Sequence, residues 1–183
     1  MTNATAYTRD DLVAGLHLRG VCYLTPTPHG DELALSDDVL IAGIARAEDA
    51  RLRFALAGLF LVHPDLAERA AALDTTFSSA EQAELRKQYV AAMYLQRLWR
   101  THLRLQFGET PLIPERFTTE LDLPSPDLMH GEYGLRLLCD RSVYNDWSSY
   151  QQVIDLISNQ PCAPNRVMMV TATPQPENHA PTH

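Results

Sequence analysis

The feature that most constrains the fold is a run from Ala80 to Phe107 that contains neither glycine nor proline. It is rich in good helix formers, Ser78 or Ser79 can cap its start, and Gly108 follows its end. Such a run predicts one helix from Ala80 to Phe107, about 40 Å long at about 1.5 Å per residue. We expect this helix to be the spine of the protein.

Shorter stretches with apolar residues at helical spacing and capping residues at their starts predict further helices. The predicted segments are Thr8 to Gly20, Asp37 to Ala45, Glu48 to Val62, Asp65 to Leu73, Gly131 to Asp140, and one from Trp147 through Ile157. Val21, Cys22 and Tyr23 allow a short β element. The expected fold is therefore mainly α, a single-domain multi-helix bundle around one long central helix.

Prolines divide the rest of the chain. Four of them between Glu109 and Pro126 rule out regular helix there and predict a proline-rich crossover, held down by apolar anchors. The expected anchors are Leu112, Ile113, Phe117 and Leu121. Beyond residue 159 the chain is polar and proline-rich, so we expect a helical domain over 1–159 and a disordered tail over 160–183.

Composition narrows the class of protein. Hydrophobic residues make up 45% of the 183 residues, as in a folded globular domain. The net charge of −8 disfavours general nucleic-acid binding. Three scattered cysteines and the absence of a signal-peptide pattern or long apolar run predict a cytoplasmic protein without a membrane anchor. No dinucleotide, P-loop or nucleophile-elbow motif is present, so no cofactor is expected.

Basic residues concentrate in the long predicted helix, which has five basic and two acidic residues between Glu81 and Arg104. At 100° per residue, four arginines fall on one stripe of the helix: Arg86, Arg97, Arg100 and Arg104. The opposite side contains Leu95, Leu98, Trp99 and Leu105, with His102 at its centre. We therefore expect an arginine row that faces outward and a histidine buried in the core.

The purpose of the arginine row admits three interpretations. The first is an internal match to acidic residues elsewhere in the chain, the second is contact with an acidic partner protein, and the third is binding of RNA phosphates. The charge balance of the chain favours them in that order.

One catalytic pattern occurs in the same helix. Arg97 and His102 have the spacing Arg-x4-His, which resembles the motif of HEPN-domain ribonucleases, helical proteins in which an arginine and a histidine act together on RNA. Leu98 stands where that family commonly has a polar residue. On a regular helix the two side chains diverge by about 140°, so joint action requires a helix break or a partner chain.

Other polar clusters are weaker signals. His29–Glu32 and His130–Glu132 contain metal-binding residue types, but their glycines are typical of turns, so no metal site is expected. Trp147 is expected to pack in the core at the start of its helix, with an aromatic anchor for a protein partner as the alternative.

Together these observations favour a non-enzymatic cytosolic interaction or accessory subunit, with a protein partner and no membrane contact. The first alternative is a helical RNA-binding or RNA-processing protein, HEPN-like in one form, that uses the arginine row. The second is a small-molecule-binding regulatory protein with a pocket bordered by Trp99, His102 or Trp147. The candidate binding residues are Arg86, Arg97, Arg100, Arg104 and Trp147.

Overall fold

The computed structural model describes residues 7–22, 24–25, 34–141 and 146–159. Within these ranges the chain forms eight α-helices and one 3₁₀ turn, with no β-strand. The helices are α1 (Arg9–Leu18), α2 (Asp37–Arg46), α3 (Ala50–Val62), α4 (Leu66–Asp74), α5 (Ser79–Leu98), α6 (Arg100–Phe107), α7 (Glu132–Asp140) and α8 (Trp147–Ser158). The 3₁₀ turn, Leu128–Gly131, precedes α7. The mainly α fold class is confirmed.

Local capping chemistry explains where most helices begin. Thr8 caps α1 and forms a capping box with Asp11, and Ser78 forms one with Glu81 at the start of α5. The hydroxyl of Ser36 accepts from Val39 at the start of α2. These side chains satisfy backbone N–H groups that have no partner inside the helix, which is why the sequence identifies the starts closely.

The centre of the fold is α5. It packs against α2, α3, α4, α6, α7, α8 and the 3₁₀ turn. All nine residues from Gln88 to Gln96 are buried, on every side of the helix. A helix that is buried all round lies inside the protein rather than at its surface. The arginine row predicted on α5 is therefore largely covered.

The single helix expected from Ala80 to Phe107 is instead two helices, separated at Trp99. The backbone of Trp99 is non-helical, at φ −105° and ψ 21°. The hydrogen bonds from Trp99 N–H to Leu95 (2.8 Å) and from Leu103 N–H to Trp99 (2.9 Å) still link the helices. Because no glycine or proline marks the break, helix propensity could not reveal it.

Residues 109–127, which we call the strap, run over α5 without regular structure. Buried polar side chains of α5 hold the strap through its backbone. The hydroxyl of Tyr89 donates to the Pro114 carbonyl at 2.9 Å, and the Tyr94 hydroxyl donates to the Pro124 carbonyl. The amide of Gln96 donates to the Pro111 carbonyl and accepts from the Ile113 N–H. These bonds satisfy backbone groups that proline-rich chain cannot pair with itself.

The apolar anchors of the strap differ in part from the expected set. Ile113 and Phe117 are buried, and Leu121 is half-buried. Leu112 is 41% exposed, because its neighbour Ile113 takes the position against α5. Leu123, which the sequence did not single out, is buried instead.

The 3₁₀ turn and the start of α7, which follow the strap, sit very close to α5. At Gly131 the backbone is left-handed (φ 85°), and a Cβ there would lie 2.6 Å from the carbonyl oxygen of Tyr94. A Cβ on Gly134 would meet the Tyr94 ring at 2.2 Å. Only glycine allows the 3₁₀ turn and α7 to approach this closely.

Some expectations fall partly or wholly outside the described residues. Val21 and Cys22 form no strand, so the β element near Val21 is not found in the part that is described, while Tyr23 lies outside it. The cluster His29–Glu32 and the predicted tail, 160–183, also lie outside the described ranges.

Candidate functional site

Arg86, the first of the four predicted arginines, is used inside the protein. Its guanidinium forms two hydrogen bonds to the carboxylate of Asp74, at 2.8 and 2.6 Å. Asp74 is buried, and the guanidinium also lies 5.4 Å from the centre of the Phe117 ring. The hydrogen bond to Asp74 raises the pKa of Arg86 above its ordinary value. Arg86 therefore joins α5 to the end of α4 and to the strap.

Arg97 also has a structural role. Its side chain is only 12% exposed, and its Nη1 donates to the carbonyls of Ile113 (3.0 Å) and Met93 (3.3 Å). Burial lowers the pKa of Arg97 below its ordinary value, an effect that the nearby carboxylate of Asp127 opposes. Its Nε is buried without a hydrogen bond, at 3.7 Å from Asp127 Oδ1. This arginine holds the strap and is not offered to a ligand.

Arg100 and Arg104 lie beyond the break, on α6, and both are exposed. Arg104 pairs with Glu109 at 2.7 Å, and both side chains are about two-thirds exposed. No ion pair to Arg100 occurs among the described residues. The break at Trp99 thus separates two structural arginines from two surface arginines.

His102 is exposed, so the expectation of a core histidine is wrong. Because the backbone departs from helical geometry at Trp99, α6 buries Leu103 and exposes both His102 and Leu105. The Nε2 of His102 is hydrogen-bonded to the Ser158 hydroxyl at 2.8 Å.

The Arg-x4-His pair does not form a joint site in this chain. Arg97 is bound to the strap, whereas His102 is bound to α8. General acid–base work on one substrate requires both groups within hydrogen-bond reach of the reacting atoms. The helix is interrupted at Trp99, between the two residues, as joint action would require. Even so, the Arg97 and His102 side chains bind partners in different parts of the fold.

Trp147 begins α8 and is half-buried against the core. The guanidinium of Arg136, on α7, lies 4.9 Å from the centre of its ring, a cation–π contact that joins the two helices. Tyr150, one turn later, is buried and packs on Phe54 of α3. Trp147 therefore packs against the core and Arg136, and only part of its side chain is exposed to solvent.

Exposed apolar side chains are frequent in α6 and in the chain that follows it, up to the start of α7. Six large apolar side chains of the described residues are exposed, and five of them lie between Leu105 and Tyr133. We define the end face as these five together with the two surface arginines: Arg100, Arg104, Leu105, Leu112, Leu128, Met129 and Tyr133. Exposed large apolar side chains that gather in one patch are typical of interaction surfaces, so these residues are taken as the candidate site.

The backbone geometry of the end face is unusual as well. Met129 and His130 adopt left-handed conformations, at φ 49° and 53°. Non-glycine residues adopt this region only where the surrounding structure imposes it. Here the following Gly131 is packed against Tyr94, and Asp127 lies beside Arg97. The 3₁₀ turn therefore presents Leu128 and Met129 on a fixed backbone.

The sequence placed Leu105 on the core face and Leu112 among the strap anchors, yet both are exposed, and it did not single out the other three apolar residues of the end face. Leu128, Met129 and Tyr133 flank a His-Gly pair that was interpreted only as a turn or an unlikely metal set. Two apolar residues directly before such a turn were the available signal. Apolar residues are usually expected in the core. The sequence alone does not show that the close packing of Gly131 on α5 keeps Leu128 and Met129 at the surface.

Metal and thiol chemistry find no support in the described ranges. No group of three metal-binding side chains occurs there. Glu132 pairs with Arg136 at 2.7 Å rather than with His130. Burial and the neighbouring carboxylates of Asp140 and Asp146 raise the pKa of Cys139 to about 11, so its reactive thiolate is scarce at neutral pH.

A separate groove with a volume of about 890 Å³ lies between α1, α2 and α4. Neither Trp99, His102 nor Trp147 lines it, although these were the borders expected for a small-molecule pocket. Its size is within the range of ligand sites. The groove is at the opposite end of α5 from the end face, because Arg46 in its lining pairs with Glu81 in the first turn of α5.

Comparison with models of known protein families, with curated protein sequences and with solved structures gives no significant match to this chain. Among the described residues, no helix has both the length and the apolar character needed to span a lipid bilayer.

Proposed function

We propose that this protein is a non-enzymatic, cytosolic accessory subunit that binds a partner protein through the end face. The observation that carries the proposal is that five of the six large apolar side chains exposed among the described residues belong to α6 and the chain that follows it, as do the two surface arginines. Methionine, tyrosine and arginine are enriched in protein–protein interfaces, and all three contribute here through Met129, Tyr133 and Arg100.

The fixed backbone of the 3₁₀ turn supports the same proposal. A preformed surface loses little conformational entropy on binding, so the apolar side chains contribute more fully to affinity. Arg100 and Arg104 add charged contacts that select an acidic partner surface. For Arg100 and Arg104 we thus favour contact with an acidic partner protein. Arg86 and Arg97 are instead paired with groups inside the chain.

RNA binding has less support. Phosphate binding gains strength from many basic residues on one surface, and only two of the four arginines are exposed. Arg104 already has a carboxylate neighbour in Glu109. The chain carries a net charge of −8, which opposes a polyanion at long range.

Site-specific photo-crosslinking in the native host tests the proposal. A photoreactive phenylalanine derivative replaces Met129 or Tyr133, and the matched control places it at Ala83, an exposed position in α5 near the other end of the molecule. We expect a protein adduct from the end-face positions that survives nuclease treatment and is lost in the Leu105→Glu variant. Equal yields from position 83, or an adduct that nuclease removes, would contradict the proposal.

A further inference from the structure

The side-chain amide of Gln96 holds the strap on both sides of Leu112, one of the exposed apolar residues of the end face. Its Nε2 donates to the Pro111 carbonyl at 2.9 Å, and its Oε1 accepts from the Ile113 N–H at 2.7 Å. Gln96 lies in the last turn of α5 and is only 3% exposed. A buried side chain thus makes one hydrogen bond to each of the two peptide groups that flank Leu112.

These two hydrogen bonds fix the conformation of Leu112. Each peptide group is planar, so the only soft angles between the two groups are φ and ψ of Leu112. Arg97 adds a third contact, since its Nη1 donates to the Ile113 carbonyl at 3.0 Å. Ile113 is fully buried, whereas Leu112 is 41% exposed. The hydrogen bonds therefore set the direction in which the Leu112 side chain leaves the strap, and that direction is outward.

Leu112 is held beside the two surface arginines. Gln96, Leu112, Arg100 and Arg104 are among the residues that line one small cleft. Its volume of about 10 Å³ is close to the minimum that holds one water molecule, so the cleft is a junction between these side chains rather than a ligand pocket. An apolar and a charged part of the end face therefore meet next to Gln96.

We propose that Gln96 is a positioning residue of the end face: its buried amide presents Leu112 next to Arg100 and Arg104, so that a partner protein meets these side chains in one fixed arrangement. This inference rests on the proposed function, because it concerns how the same surface binds. A side chain that is already held in its bound direction loses less conformational entropy on binding, which raises the affinity. Gln96 is buried and acts through Leu112.

A double-variant comparison tests this role, with the photoreactive phenylalanine derivative at position 133. Gln96→Met keeps the length of the side chain and removes both hydrogen bonds, and Leu112→Ala removes the side chain that Gln96 positions. Each should lower the yield of the protein adduct about fivefold, and Gln96→Met/Leu112→Ala should lower it no further. A second loss of the same size in the double variant would overturn the proposal, because Gln96 would then affect binding independently of Leu112.

Gln82→Met is the matched control. The Gln82 amide also donates from α5 to a backbone carbonyl, that of Asp74, at 2.8 Å, but it lies near the other end of the helix. Its loss should leave the adduct yield unchanged when all variants are compared at a temperature where far-UV circular dichroism shows them to be folded. If Gln82→Met lowers the yield as much as Gln96→Met, binding responds to any loosening of the fold, and the positioning role is wrong.

Hydrogen exchange measured by NMR tests the geometric step without a partner. The Ile113 N–H should exchange at least about tenfold faster in Gln96→Met than in the unmodified protein, and at an unchanged rate in Gln82→Met. An unchanged rate in Gln96→Met would refute the proposal, since the amide would then not hold the strap next to Leu112.

The outcomes separate this proposal from the proposed function. If the adduct is lost in Leu105→Glu but keeps its full yield in Gln96→Met or in Leu112→Ala, the end face binds a partner and only the positioning role is wrong. If no protein adduct forms with the otherwise unmodified chain, the proposed function fails and the positioning role fails with it.

Discussion

The four arginines predicted as one row divide into two pairs with different physical roles. Arg86 and Arg97, on α5, are mostly buried and hydrogen-bonded to the end of α4 and to the strap. Arg100 and Arg104, on α6, are exposed. The two pairs have the same residue type and the same helical register in sequence, so the difference comes from what covers them.

The strap produces this difference. Its Ile113 carbonyl accepts from the buried Arg97 of α5, whereas its contact with Arg104 of α6 is the exposed ion pair of Glu109, and its carbonyl groups require donors that proline-rich chain lacks. A guanidinium satisfies such carbonyls while its stem packs on apolar surface. A cluster of positive charge in a sequence therefore does not by itself define a charged surface.

The largest stability effect is expected from Arg86→Met. The change leaves the buried Asp74 carboxylate without its partner, and removal of one member of a buried ion pair costs roughly 3 kcal/mol. The free energy of unfolding in urea measures the loss. The double variant Arg86→Met/Asp74→Leu should regain much of the stability, and failure to regain any would mean that the carboxylate is not the cause.

Loss of stability at high pH is the second expected effect. Burial raises the pKa of both Tyr89 and Tyr94 from 10 to about 12. Between these values the unfolded chain loses the protons and the folded chain keeps them. The stabilisation is therefore complete below pH 10 and declines as the pH rises towards 12, by on the order of 2 kcal/mol per tyrosine.

Urea unfolding at a series of pH values checks this effect. Tyr89→Phe should reduce the slope of stability against pH in that range, and Tyr133→Phe, on the end face, serves as the control. Equal slopes in the two variants would show that Tyr89 does not ionise as expected.

Arg97→Met should cost less than Arg86→Met, roughly 1–2 kcal/mol, because it removes the side-chain donor to the Ile113 carbonyl but leaves no buried charge unpaired. Asp127→Asn should cost less still, since the Asp127 side chain is 85% exposed. Urea unfolding of both variants measures the difference. If Asp127→Asn is the more harmful change, the ion pair matters more than the carbonyl contacts.

The sequence predicted those parts of the fold that depend on neighbouring residues. Thr8, Ser36 and Ser78 cap helices through contacts made within three residues, so the starts of α1, α2 and α5 could be identified from the chain alone. The interruption at Trp99 has no such local sign, because no residue type there disfavours helix.

The candidate site was predictable only in its charged part. Arg100 and Arg104 were identified as candidates, and both lie on the end face. Their separation from Arg86 and Arg97 depends on hydrogen bonds between α5 and the strap, which join residues far apart in sequence. The exposure of Met129 likewise depends on the close contact between Gly131 and Tyr94.

The smallest stability effect is expected from Arg100→Met/Arg104→Met. Both side chains are exposed, and the single contact of Arg104 with Glu109 is a surface pair, so the free energy of unfolding should change by less than about 0.5 kcal/mol. The crosslinking yield from Met129 should fall nonetheless, because these arginines contribute to recognition and not to folding. A stability loss as large as that of Arg97→Met would instead place both pairs in one structural role, and the distinction between α5 and α6 would not hold.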